Sequence, residues 1–115
     1  YFYFDEFLSM LQSEKYVIRV RGFRLLCKQA KWDKEKKINR VIKTILAAVN
    51  DEKPTAVRQA LHYLHFVVPY KQELSADIRT AICSMDCSRF KISMRPLIDK
   101  DIRDLFALID QEVML

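Results

Sequence analysis

At 115 residues, the chain is long enough for one domain burying roughly 65% of its unfolded surface. One glycine and three prolines leave little material for hairpin turns, bulges or glycine-rich phosphate loops, which disfavours a β-rich fold and a nucleotide-binding loop. A net charge of +5 with a pI near 9.2 inclines it towards anionic partners, and no apolar run approaches the ~18 residues of a membrane span.

The chain begins at Tyr1 rather than methionine, with Tyr1, Phe2, Tyr3 and Phe4 crowded together. The expectation is that an N-terminal helix or helix pair that packed on these rings has been removed, or that the rings meet a twin subunit. Phe4, Phe7, Leu8 and Leu11 recur at helical spacing and predict a first helix over about residues 3–12, after which Ser13 is placed to cap the next. That second helix, about 15–30, carries an apolar arc of Ile18, Gly22, Phe23, Leu25, Leu26 and Ala30, flanked by Val20 and Cys27. Glycine inside a helix is ~1 kcal/mol less favourable than alanine, so Gly22 predicts a neighbouring helix in close approach.

Asp33 is placed to cap the third helix, with Glu35 in its first turn, and Ile38, Val41, Ile42, Ile45, Leu46 and Val49 continue the period. Pro54 starts a fourth helix running to about 68, and Pro69 ends it. Leu74, Ile78, Ala81, Ile82 and Met85 define a fifth, about 71–85. Residues 86–92 read as a loop or a single turn. A sixth starts near Ser93, tolerates Pro96 in its first turn and packs through Leu97, Ile98, Ile102, Leu105, Phe106 and Ile109. Six helices in three hairpins result, in one domain over residues 1–115.

Two stretches superpose at a displacement of 38 residues. Ile18, Gly22, Leu25, Leu26 and Ala30 fall on Ala56, Ala60, Tyr63, Leu64 and Val68, while Arg21, Arg24 and Lys28 fall on Gln59, His62 and Phe66. A displacement in this range with helical patterning inside each copy is the signature of stacked helical hairpins. The series Ile18, Arg19, Gly22, Leu26 resembles the second helix of a HEAT-like repeat. With YFDEFLSML, VRGFRLL, AKWDKEKKI, NDEKPTAVRQAL and SMRPLIDKDI, the whole chain is similar to a group of small bacterial HEAT-like proteins, some of them labelled SufBD-like. The SufBD proteins themselves are built on a β-helix, which this helical periodicity contradicts. The resemblance implies an all-α fold, an α-solenoid of about three antiparallel helix pairs whose second helices line the inner surface. It implies no established activity.

The family's repeat arginine maps to Arg19, whose counterpart 38 residues on is Val57, with Arg58 one position later. At 100° per residue Arg19 points into its helix's apolar arc and Arg58 to the polar side of its own. An inward arginine must find oxygen partners, and Asp5, Glu6, Asp51 and Glu52 are the candidates.

From Lys15 to Lys43 eleven basic residues face only Asp33 and Glu35, a local balance of +9 in a chain whose total is +5, so the remainder is net negative. Arg21, Arg24, Lys28 and Lys31, at steps of three, four and three, share one side of the second helix opposite its apolar arc. The repeat register sets Gln59, His62 and Phe66 beside them, and these seven residues form the candidate binding surface. Arginine pairs with carboxylates and phosphates through two donors, and an exposed ring beside cations can stack or insert.

A zinc site from Cys83, Cys87, His62 and His65 is conceivable on paper, but the spacing of known zinc modules is absent; all three cysteines read as small, partly buried side chains, and their odd number as a sign of a reducing compartment. His62 and His65 read as solvent-facing and not catalytic, since no nucleophile or carboxylate nearby in sequence completes a set. Asp99, Asp101 and Asp104 read as an exposed helix side. The expectation is a cytoplasmic, non-catalytic protein-interaction module without metal or cofactor, offering a basic inner surface to the acidic segment of a protein partner. The alternative is non-catalytic nucleic-acid binding through the Arg21, Arg24, Lys28 and Lys31 stripe. Some alkylpurine DNA glycosylases also use HEAT-like repeats, but they surround the lesion with several rings and a carboxylate, whereas Trp32 is the only indole here.

Overall fold

The computed structural model describes residues 3–114, so Tyr1 and Phe2 of the crowded N-terminus lie outside the described residues. About 75% of the chain is helical, with no strand among the described residues. The α-helices are α1 (Phe4–Met10), α2 (Tyr16–Lys28), α3 (Lys37–Arg40), α4 (Ile42–Leu46), α5 (Pro54–Tyr63), α6 (Ser75–Cys83) and α7 (Arg95–Met114). No described helix is long and apolar enough to cross a membrane.

The apolar period correctly locates helical segments but overstates their continuity. α2 tightens into a 3₁₀ turn over Gln29–Trp32, and α5 into another over Leu64–Phe66, as helices commonly do at their ends. The expected third helix is three pieces, α3, α4 and a 3₁₀ turn over Ala47–Asn50, with the break at Val41, φ −117°. This stretch is rich in β-branched residues, whose stiff χ1 lowers helix propensity, and burial of Ile38, Ile42, Ile45 and Val49 holds it in place instead. The expected fifth helix opens with a 3₁₀ turn, Gln72–Leu74, and the stretch 86–92 contains a single 3₁₀ turn, Cys87–Arg89.

Two caps differ from expectation. The Ser13 hydroxyl accepts from the Lys15 amide at 3.1 Å, which shapes the turn, but Lys15 itself occupies the cap position of α2 and no side chain caps it. Asp33 caps from a distance: its two carboxylate oxygens accept from the Lys37 and Ile38 amides, each at 2.9 Å. Because Lys36, in the left-handed region at φ 58°, separates the acid from the helix, Glu35 falls before α3 and not in its first turn.

α2 packs against α1 and α5, α5 against α7, and α4 against α6, giving a flat body of 41 × 39 × 17 Å. One core runs through it from Phe4 and Phe23 past Leu61 and Leu64 to Ile98, Leu105 and Ile109. Phe4, expected among exposed rings, is 4% exposed; only Tyr3 of the described terminal rings reaches solvent. Gly22 sits where α1 crosses α2, and a Cβ there would lie 2.6 Å from Met10 Cβ and 2.8 Å from the Phe7 carbonyl oxygen. This is the close approach its mid-helix position predicted.

Candidate functional site

The positions of the charged side chains follow from which of them the fold neutralises. Arg19 enters the structure as its direction in α2 requires. Its Nε and Nη2 donate to the two carboxylate oxygens of Asp51 at 2.7 and 3.0 Å, and its Nη1 donates to the Ser13 and Glu14 carbonyl oxygens. Of the four candidate acids, Asp51 is the partner. Burial works to raise the Asp51 carboxyl, but the Arg19 hydrogen bonds and the Lys53 amide outweigh it, so its pKa lies below the ordinary value; the Asp51 contact raises that of Arg19. Arg89 adds a 2.7 Å bond to the Asp51 carbonyl oxygen.

A second clamp was not anticipated. Lys71 Nζ lies 3.1 Å from Asp33 Oδ2 and 3.1 Å from the Asp33 carbonyl oxygen, with both side chains almost fully buried. Asp33 and Lys71, like Asp51 and Arg89, are 38 residues apart, so each contact joins positions separated by the displacement at which the two stretches superpose. Arg58 points to the polar side of α5, as expected, where it meets Asp101 of α7 at 2.7 Å. Asp101 is therefore a half-buried partner, not part of an exposed acidic side, because α7 crosses α5 at that point; Asp99 and Asp104 are exposed. Lys100 pairs with Asp104, and Arg79 with Asp110.

Arg21, Arg24, Lys28 and Lys31 are all exposed, and none makes an ion pair among the described residues. Lys28 reaches across to α5, with Nζ 5.6 Å from the centre of the Phe66 ring, so the stripe and Phe66 are brought together. Gln59 and His62 turn more towards α7: with Thr55, Arg58, Met94 and Asp101 they line an open groove of about 320 Å³, continued by His65, Phe66 and Asp104.

His62 is exposed, as expected, and His65 is half-buried at the wall of the groove. Burial pushes its imidazole pKa down, and His62, ring centres 6.0 Å apart, adds to the shift. The cysteines diverge as well. Cys27 is fully buried, which pushes its thiol up, whereas Cys83 is exposed and only Cys87 is partly buried. Among the described residues, no group of three or more His, Cys, Asp or Glu side chains is arranged to hold a metal.

Two exposed rings were not among the seven candidate residues: Trp32, next to Lys31 in the chain and 60% exposed, and Tyr70, 52% exposed. They lie 38 residues apart, each immediately preceding one member of the buried Asp33–Lys71 pair. The face as a whole can hold an anion through several unpaired cations beside apolar rings. No family model matches this chain, and no curated protein or solved structure matches it either.

Proposed function

We propose that the chain is a non-catalytic interaction module, a HEAT-like α-solenoid of about three antiparallel helix pairs that holds the acidic segment of a protein partner on its basic face. The pairs are α1 with α2, α3 and α4 with α5, and α6 with α7. In support, each second helix lies against the next, α2 on α5 and α5 on α7, and stacked pairs create an extended binding surface.

The observation that carries the reading is where the exposed cations sit. Arg21, Arg24, Lys28 and Lys31 follow one side of α2 and its 3₁₀ extension, all exposed and none in an ion pair among the described residues. Like charges gathered on one helix repel one another and weaken the free protein slightly. An acidic ligand relieves that repulsion and is steered to the face from a distance.

The test is calorimetric titration with an oligoglutamate peptide at low ionic strength. The unaltered protein should bind it, and Arg21→Glu, Arg24→Glu and Lys28→Glu together should weaken binding at least about tenfold, since each reversal replaces an exposed attraction by a repulsion. Thermal unfolding should change little, as surface substitutions usually shift stability by about 0.5 kcal/mol or less each. Undiminished binding by the triple variant would refute the assignment. Binding only to DNA, with affinity falling steeply as salt is added, would assign the stripe to phosphates instead.

A further inference from the structure

We propose that the partner's acidic segment also carries a large apolar side chain, taken by a ridge of rings at the C-terminal ends of α2 and α5. This rests on the acidic-segment reading above and specifies the chemistry of that segment.

Trp32, Phe66 and Tyr70 are 60%, 39% and 52% exposed, although full burial of a large apolar side chain is worth about 1.5–3 kcal/mol. The rings are not on loose loops. Asp33 and Lys71, immediately after Trp32 and Tyr70, are joined by the buried clamp at 3.1 Å, and Asp33 also receives the first two amides of α3. Phe66 closes the 3₁₀ turn after α5, with Tyr63 nearly parallel to it, ring centres 6.2 Å apart at 15°. Rigidly mounted, solvent-facing rings lose little conformational entropy when a ligand covers them.

The placement of the lysines favours one ligand class. Lys28 Nζ stands 5.6 Å from the centre of Phe66 and Lys31 Nζ 5.2 Å from that of Trp32. A nucleobase stacks on a free ring face, whereas here an ammonium stands over one face of each of these two rings. Beside each ammonium lie ring edge and lysine stem, an apolar surface next to a cation. A carboxylate flanking a phenylalanine or leucine satisfies both parts at once: the acid meets the ammonium while the side chain covers the ring edge.

Trp32 is the only tryptophan in the chain, so its emission reports the ridge directly. Two unlabelled peptides of equal charge serve as probes, one of glutamate and glycine, the other with phenylalanine in place of glycine, alongside oligothymidylate. The phenylalanine peptide should bind about tenfold more tightly by calorimetry and shift Trp32 emission to the blue, and Tyr70→Ser should cut that advantage severalfold while leaving the glycine peptide unaffected. Equal affinities with unchanged emission would overturn the ridge and leave the acidic-segment reading standing. Failure of both peptides to bind would overturn both proposals. A response of Trp32 to oligothymidylate alone would overturn the ridge as a peptide site and assign it to nucleic acid.

Discussion

Gly22→Ala should destabilise this protein, although alanine is the better helix former. The substitution gains ~1 kcal/mol of helix propensity in the interior of α2. Against it, the new Cβ falls 2.6 Å from Met10 Cβ and 2.8 Å from the Phe7 carbonyl oxygen, where carbon atoms prefer about 3.5–4.0 Å. Relief requires α1 to retreat by about 1 Å. Its seven residues are anchored by Phe4, 4% exposed in the core, so retreat disturbs packing at a cost typical of overpacked cores, about 1–3 kcal/mol, or more if Phe4 is withdrawn. The net expectation is a loss of up to about 2 kcal/mol, read as a fall in Tm of roughly 4 °C per kcal/mol by far-UV circular dichroism. Met10→Ala should not rescue the variant, because the contact is with Met10 Cβ and with backbone, neither of which that change removes. A Gly22→Ala protein stabilised by about 1 kcal/mol would refute the reasoning, since it would mean that α1 does not press on α2 there.

Asp51→Asn should cost about 3 kcal/mol in urea unfolding, by leaving the inward Arg19 without its counter-charge; a change below 0.5 kcal/mol would show that the pair is dispensable. Because the folded pKa of Asp51 lies below its ordinary value of 3.8, its contribution is complete above that value and is lost as pH falls through the folded one. Stability of the unaltered protein should therefore decline below about pH 4, and the Asn variant should show a shallower decline. Lys71→Met should destabilise by about 3 kcal/mol as Asp33 loses its buried cation, whereas Arg58→Ala, at a pair with the arginine 38% exposed, should cost no more than about 1 kcal/mol; equal losses in urea titrations would contradict the difference in burial.

Much of the helical framework is written locally. The recurrence of Phe4, Phe7, Leu8 and Leu11, or of Leu97, Ile98, Leu105 and Ile109, requires only neighbours three and four positions away, so periodicity suffices to find α1 and α7. The same geometry sent Arg19 inward, narrowed its partner to four acids, and set Arg21, Arg24, Lys28 and Lys31 on the solvent side. Gly22 disclosed a contact because its composition is costly in a helix without one. The break at Val41 was less legible, since an uninterrupted apolar period reads the same whether one helix or two carry it.

What the sequence by itself determined is therefore helix content, the orientation of side chains about each axis and the exposure of the basic stripe, all consequences of backbone geometry within a few residues. Only the tertiary structure decided which charges meet: Asp51 out of four candidates for Arg19, Lys71 for Asp33, Asp101 for Arg58. Those pairs join residues 32, 38 and 43 positions apart, and their formation depends on how helices cross, a property of packing that no local pattern encodes. The same packing separated neutralised cations from unneutralised ones and raised Trp32 and Tyr70 on a buried clamp, and it is there that the proposed binding face takes its chemistry.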